Sequence, residues 1–253
     1  MLDRVPDDWY VEFHRGLAAR FWRAAGAAMA EDDVRVAKPL LGDARSVLDV
    51  PCGDGRMTIR LAAAGYDAIG IDVIGEEVEH ARAAARAAGQ TARFAVGDLK
   101  ALPDVGRVDA VLSWGNSFGY LSPPDTARSL ANLHGALRPG GRLVLESLTI
   151  AESLLVRGVQ AAAEYEYDGI RMTTANRYRV EESRIESDVV FEAADGTVER
   201  TRLAHRVHTA GELVRLVEAA GFGGVRLLAG DGATPYALGA PKLILVATAS
   251  PPG

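Results

Sequence analysis

Residues 46–65, SVLDVPCGDGRMTIRLAAAG, restrict the fold more than any other stretch of this 253-residue chain. "SVLDV" is an apolar run too short for a helix, interrupted by the acid Asp49. Gly53 and Gly55 follow, and "GRMTIRLAAAG" reads as a helix with Ile59 and Ala62 on its inner face and Gly65 as its stop. A strand that turns through glycines into a helix is set up for a crossover to a parallel neighbour. The rhythm then repeats. "DAIGID" is a second strand and "GEEVEHARAAARAAG" an Ala-rich helix, while "ARFAVGD" and "RVDAVLSW" are a third and a fourth strand. "PPDTARSLANLHGALRPGG" is a helix stopped at Pro139-Gly140-Gly141, and "RLVLESL" is a fifth strand. The expected class is α/β, with a mainly parallel sheet covered by helices on both faces.

The pattern changes after residue 150. From Tyr165 to Val207 residue types alternate at period two, and Asp168-Gly169 and Asp195-Gly196 stand where hairpin turns belong. This reads as an inserted antiparallel meander. "TAGELVRLVEAAGF" then forms an amphipathic helix with Thr209 as N-cap and Gly221 as C-cap, and "GVRLLAG" and "PKLILVATA" complete seven strands in the main sheet. The N-terminal "DDWYVEFHRGLAARFWRAAG" is helical and dense in aromatics. The expected organisation is a helical flap at 1–42, an α/β domain from 43–150 and 209–253, and a β lid at 151–208.

Composition excludes several roles. The formal net charge of −6, with no basic stripe, argues against a nucleic-acid binder. No apolar run approaches the roughly 18 residues of a membrane span, and "MLDRVPDDWY" lacks a signal-peptide layout. A lone cysteine, Cys52, fits a reducing compartment, and the cytoplasm is the expected location. Cys52 itself reads as a small buried residue rather than a nucleophile. No His/Cys/Asp cluster has metal-ligand spacing, so no metal is expected.

Three kinds of ligand loop compete for residues 49–58. A Walker A loop is excluded by Arg56-Met57, where Lys-Ser/Thr is required. A dinucleotide loop has Thr58 in place of its third glycine, which weakens an NAD(P)-dependent oxidoreductase without removing it. The third possibility has an acid in the strand before the loop, as Asp49 is here. "LDVPCGDGR" resembles the first motif of class I S-adenosylmethionine-dependent methyltransferases, with Asp49, Gly53 and Gly55 in the motif positions. "GID" at 70–72, "VGDLKALP" at 96–103 and "LRPGG" at 137–141 resemble the later landmarks in the same order.

The resemblance implies a Rossmann-like fold, S-adenosyl-L-methionine as cofactor and S-adenosyl-L-homocysteine as product. It implies that Asp72 holds the ribose hydroxyls, Asp98 meets the adenine amino group, and the glycines admit the methionine moiety. Pro51, Cys52 and Arg56 in the loop, Val73 and Leu99 after the two acids, and Trp114 and Gly115 after the fourth strand are expected beside them. Tyr10 and Trp22 are expected to close the flap over the cofactor.

The acceptor side falls on "SWGNSFGYLSPPD" and the meander. Asn116, Ser117 and Tyr120 are candidates for hydrogen bonding, with Trp114 and Phe118 as apolar wall, although asparagine in a loop is often a turn residue. Tyr165, Tyr167 and Tyr178 are candidate lining residues. His205 is the favoured base or orienter, on the face it shares with Val207 and opposite His208, with a packed histidine as the alternative. The expectation is methyl transfer to a nitrogen or oxygen atom of a small-molecule acceptor by a monomer or homodimer. A cofactor-binding protein without catalysis is the second possibility.

Overall fold

The computed structural model describes residues 4–250. Seven strands, β1 (Ser46–Asp49), β2 (Asp67–Asp72), β3 (Arg93–Val96), β4 (Val108–Ser113), β5 (Leu137–Ser147), β10 (Phe222–Ala229) and β11 (Leu243–Ala249), form one sheet. Their order is β10-β11-β5-β4-β1-β2-β3. Neighbours from β3 across to β5 pair in parallel, and β11 runs antiparallel to both β5 and β10. The central strand β1 is buried over its whole length, as a strand covered on both faces must be. Val47 packs with Met57 and Leu61 of α3 (Arg56–Ala63). Leu48 packs on the opposite face with Leu130 and Leu133 of α5 (Pro123–Ala136) and Leu213 and Val217 of α7 (Ala210–Ala219). The remaining crossover helix, α4 (Gly75–Ala87), buries Val78, Ala81 and Ala85 against Phe94 of β3.

Two local expectations need correction. The inner face of α3 is Met57, Thr58 and Leu61, while Ile59 and Ala62 are only half-buried, because the helix starts with Gly55 as N-cap and so turns a different stripe inward. Helix α5 ends at Ala136 rather than at Pro139: Arg138 precedes a proline and is steered out of the helical region, so β5 begins at Leu137. Thr209 caps α7 as the sequence suggests, accepting a hydrogen bond from the Glu212 amide at 3.0 Å, while the C-cap is Ala220 and Gly221 (φ +96°) follows it.

The second sheet is an antiparallel meander of β6 (Ala162–Tyr167), β7 (Ile170–Arg179), β8 (Arg184–Ala193) and β9 (Val198–Arg206). Asp168-Gly169 and Asp195-Gly196 make its first and last turns. Alternate residues of β8 (Val189, Phe191, Ala193) face a core shared with two N-terminal helices, α1 (Tyr10–Phe13) and α2 (Gly16–Leu40). The expected single N-terminal helix is broken where Arg15 is extended and Gly16 takes φ +53°. The rings of Phe13 and Phe21 lie 6.1 and 5.6 Å from that of Phe191. Ion pairs such as Arg177–Asp188 occupy the other face of the meander. A short helix, α6 (Ala151–Leu154), and a 3-10 turn at Ser117–Tyr120 complete the elements that bear on the site. No helix among the described residues is long and apolar enough to cross a membrane.

Phe191 is fully buried where the helices meet the meander. Phe191→Ala is expected to cost about 3–5 kcal/mol in urea unfolding. A loss under about 1 kcal/mol would show that the site collapses freely and that the helices do not depend on this ring.

Candidate functional site

Residues at the carboxyl ends of β1, β2, β3 and β4 line a cleft of about 550 Å³, closed on its other sides by α1, α2 and the meander. That volume suits a small ligand, and the strand ends are where open α/β sheets bind one. Asp49, at the end of β1, is 2% exposed and lies beneath the cleft rather than on its wall. Its Oδ2 accepts a 2.6 Å hydrogen bond from the Thr58 hydroxyl inside α3. The strand acid expected at the cofactor therefore anchors the helix that follows the loop. Burial pushes its pKa up to about 7 in spite of Thr58 and the nearby Arg56 guanidinium. Thr58 is itself fully buried in the place of the third glycine of a dinucleotide loop.

Asp72 does line the cleft. Its Oδ2 accepts from the Gly53 amide at 2.8 Å and its Oδ1 from the Ile74 amide at 2.9 Å. Burial raises its pKa, and these amide donors act against that rise. The two loop glycines divide the work. A Cβ on Gly53 (φ +53°) would meet open space, so the backbone there borders room for a ligand. A Cβ on Gly55 (φ +78°) would lie 2.8 Å from Ala81 Cβ and 2.9 Å from the Phe94 ring. Gly55 thus permits helix packing and, like Asp49, is absent from the cleft wall. Pro51, Cys52, Arg56, Val73, Asp98, Leu99, Trp114 and Gly115 line the cleft, as do Tyr10 and Trp22. Burial holds the Cys52 thiol well above its ordinary pKa, so it is no nucleophile at neutral pH.

The sequence reading missed a set of charges on this wall. Arg23 of α2 pairs with Glu77 at 2.8 Å, and Arg56 pairs with Asp33 of α2 at 2.6 Å. Lys242, just before β11, pairs with Glu146 and stands 5.5 Å from the Trp114 ring centroid. The second Glu146 oxygen accepts from the Gly115 amide at 3.0 Å. These residues lie far apart in the chain and belong to no motif, so no local signal marks them. Each cation on the wall is matched by a carboxylate, and Asp98 is paired with Lys100, so Asp54 and Asp72 remain in excess. Open space over Gly53, the neighbouring Asp72 and this acidic surplus fit a nucleoside that carries a sulfonium.

The part of the wall contributed by α1, the 3-10 turn and the meander is built from rings. Tyr10 stacks on Tyr120 with centroids 5.9 Å apart. Tyr120 meets His205 edge-on at 5.0 Å and His14, which the sequence reading did not single out, at 6.5 Å. Burial pushes Tyr120 up to about 12 and both imidazoles down to about 4. Neither imidazole has a hydrogen-bond partner among the described residues.

Other expected acceptor-side residues are placed unevenly. Asn116 lines the cleft, but its Oδ1 accepts from the Leu148 amide at 2.8 Å and the Thr149 hydroxyl at 3.2 Å, and it sits at φ +69°. It ties the loop after β4 to the end of β5. Ser117, Tyr165 and Tyr167 are on the wall, whereas Tyr178 is not and Phe118 turns into the core with Leu130. His208 lies away from the cleft, its ring 5.9 Å from that of Phe118 and its Nδ1 3.4 Å from Glu212. No group of three or more metal-ligating side chains forms among the described residues.

A family model described as "Methyltransferase domain" matches residues 47–141. Glycine/sarcosine N-methyltransferase of Halorhodospira halochloris is 31% identical over 145 residues, 56% of this chain and 54% of that protein. Demethylmenaquinone methyltransferase of Deinococcus radiodurans is 36% identical over 129 residues, 50% and 48% of the two chains. The chain thus spans about half the length of the curated relatives it matches. Among solved structures, the CcbJ methyltransferase of Streptomyces caelestis superposes with a TM-score of 0.79 at 16% identity, covering 97% of this chain and 100% of that one. The amino pentose methyltransferase CalS10 of Micromonospora echinaspora, solved with S-adenosylmethionine bound, gives 0.65 at 20% identity and covers 99% and 98%. At these identities the superpositions show a shared fold.

Asp49→Asn is expected to flatten the pH dependence of Tm. The unfolded carboxyl titrates near about 4, and the folded one at about 7, so the unfolded chain sheds its proton first. The stability contributed by the protonated acid is therefore lost as pH rises through that window. Thermal scans of both proteins across it check this, and parallel curves would contradict the assignment.

Proposed function

We propose that this chain, whose residues 47–141 match a methyltransferase domain, is a class I S-adenosylmethionine-dependent methyltransferase that transfers a methyl group to a nitrogen or oxygen atom of a small-molecule acceptor. One observation carries this reading. A single cleft joins a charged end, centred on Asp72 and the Gly53 backbone, to an uncharged end of stacked rings. The first suits the donor and the second an acceptor.

Bound S-adenosylmethionine supplies an electrophilic methyl group on a sulfonium. The chain's own part is to bind, orient and exclude water. Asp72 would hold the ribose hydroxyls, Asp98 the adenine amino group, and the open backbone at Gly53 the amino-acid portion. Trp114, braced by Lys242, walls the same region. Tyr10 and Tyr120 press from the acceptor side, and α2 closes over both. Holding nucleophile and methyl group in line in a dry chamber supplies much of the rate for such a displacement. His205 is placed to take or hold a proton of the acceptor, because its imidazole stays neutral at physiological pH. Relatives named for glycine, sarcosine and amino-pentose methylation support a small acceptor.

Calorimetric titration with S-adenosylhomocysteine tests the donor half. Binding is expected, and Asp72→Ala should weaken it about ten- to a hundredfold, the loss of a buried charged acceptor for hydroxyls. Absence of binding by the unmodified protein would overturn the proposal.

His208→Ala should lower Tm with kcat/KM within about twofold of the parent, whereas His205→Ala should lower kcat/KM by about 10²–10⁴-fold with cofactor affinity retained. The reverse pattern would remove His205 from the site.

A further inference from the structure

The cleft wall is partitioned by charge. Every lining residue with a permanent charge comes from α2 or from the strands, helices and loops of the α/β unit built on the seven-stranded sheet. Every lining residue contributed by α1, the 3-10 turn and the meander is uncharged, including Phe13, Tyr120, Leu121, Met172 and Leu203. Arg23, Arg56 and Lys242, the cations of the wall, are already engaged by carboxylates. A carboxylate on the acceptor would find no free cation here, since Lys100, 5.9 Å from the Tyr10 ring, is itself engaged by Asp98, and an ammonium would meet no carboxylate contributed by α1, the 3-10 turn or the meander. The polar groups present there are the His14 and His205 imidazoles, which have no hydrogen-bond partner among the described residues, and the hydroxyls of Tyr10, Ser117, Tyr120, Tyr165 and Tyr167.

A neutral imidazole keeps one nitrogen as acceptor. Two such rings beside stacked aromatics match a flat ring that carries one hydroxyl proton.

We propose that the acceptor is an uncharged aromatic molecule with a phenolic hydroxyl, which sits against His14 and His205 and passes its proton to His205 as the oxygen is methylated. The inference rests on the methyltransferase reading and narrows its acceptor. The new bond is between the phenolic oxygen and the methyl carbon. The bond that breaks leaves its electron pair on the donor's sulfur, and the phenolic proton moves to the free imidazole nitrogen and then to water. The same chamber disfavours amino acids and charged amines, which need an ionic partner.

Binding alone tests this. In the presence of S-adenosylhomocysteine, calorimetry near neutral pH compares methyl 4-hydroxybenzoate, 4-hydroxybenzoate and tyramine, which share a phenol but differ in charge. The neutral ester is expected to bind at least about tenfold more tightly than either ion. His14→Phe and His205→Phe keep a ring in place but remove the acceptor nitrogen. Each should weaken the ester by about fivefold or more while S-adenosylhomocysteine affinity stays within about twofold. Equal or tighter binding of an ion, saturation by none of the three, or ester affinity unchanged in both variants would overturn the proposal. Loss of S-adenosylhomocysteine binding in the parent protein would instead overturn the methyltransferase reading itself.

Discussion

The two hydrogen bonds accepted by Asp72 set the geometry that the cleft depends on. One comes from the loop after β1 and the other from the entry to α4, so a single carboxylate joins the ends of two parallel strands. Charge-assisted bonds of this kind compensate for removing the acid from water. Asp49 works one layer deeper, where its bond to Thr58 ties β1 to α3. With both in place, the Gly53 backbone is held by Asp72 and borders open space.

Around that fixed edge the protein separates two environments that a methyl donor and an uncharged acceptor would each require. Near the strand ends, ion pairs consume the cations and leave carboxylates in surplus, a field that favours a cationic guest. Toward the meander, Tyr10, Tyr120 and His205 form a continuous set of ring contacts. The low polarity there keeps both imidazoles unprotonated at neutral pH, so the chamber carries no charge of its own.

Much of this was legible in the sequence because the relevant signals are local. A short apolar run, a glycine loop and an amphipathic helix identify a βα unit, and two Asp-Gly turns identify the meander. Gly53 is readable from the glycine loop and Asp72 from "GID" at the end of the second strand, and both line the cleft. Asp49 and Gly55 fit the same motif but do not line the cleft; a motif records which residue types are needed and not which way each side chain points. The ion pairs Arg56–Asp33 and Lys242–Glu146 were invisible for a different reason: each joins segments that only the completed fold brings together. His14 lies at the break between α1 and α2, and Gly16 is the one residue in "EFHRGL" that marks the break, a signal too weak to single out the histidine beside it.

Helix α2 has one further consequence. Phe21 is packed on the meander through Phe191, and Arg23, two residues later, is clamped to Glu77 at the base of α4. Asp33 grips Arg56 farther along the same rigid rod. Contacts made to two sheets by one rod cannot be released independently, so perturbations of the meander and of the glycine-loop region should not sum as separate losses. A paired substitution, one at each end of this helix, would then show an interaction energy between residues that never touch. In that sense the helix is a mechanical lever, through which the packing of aromatic rings and the strength of an ion pair become a single quantity.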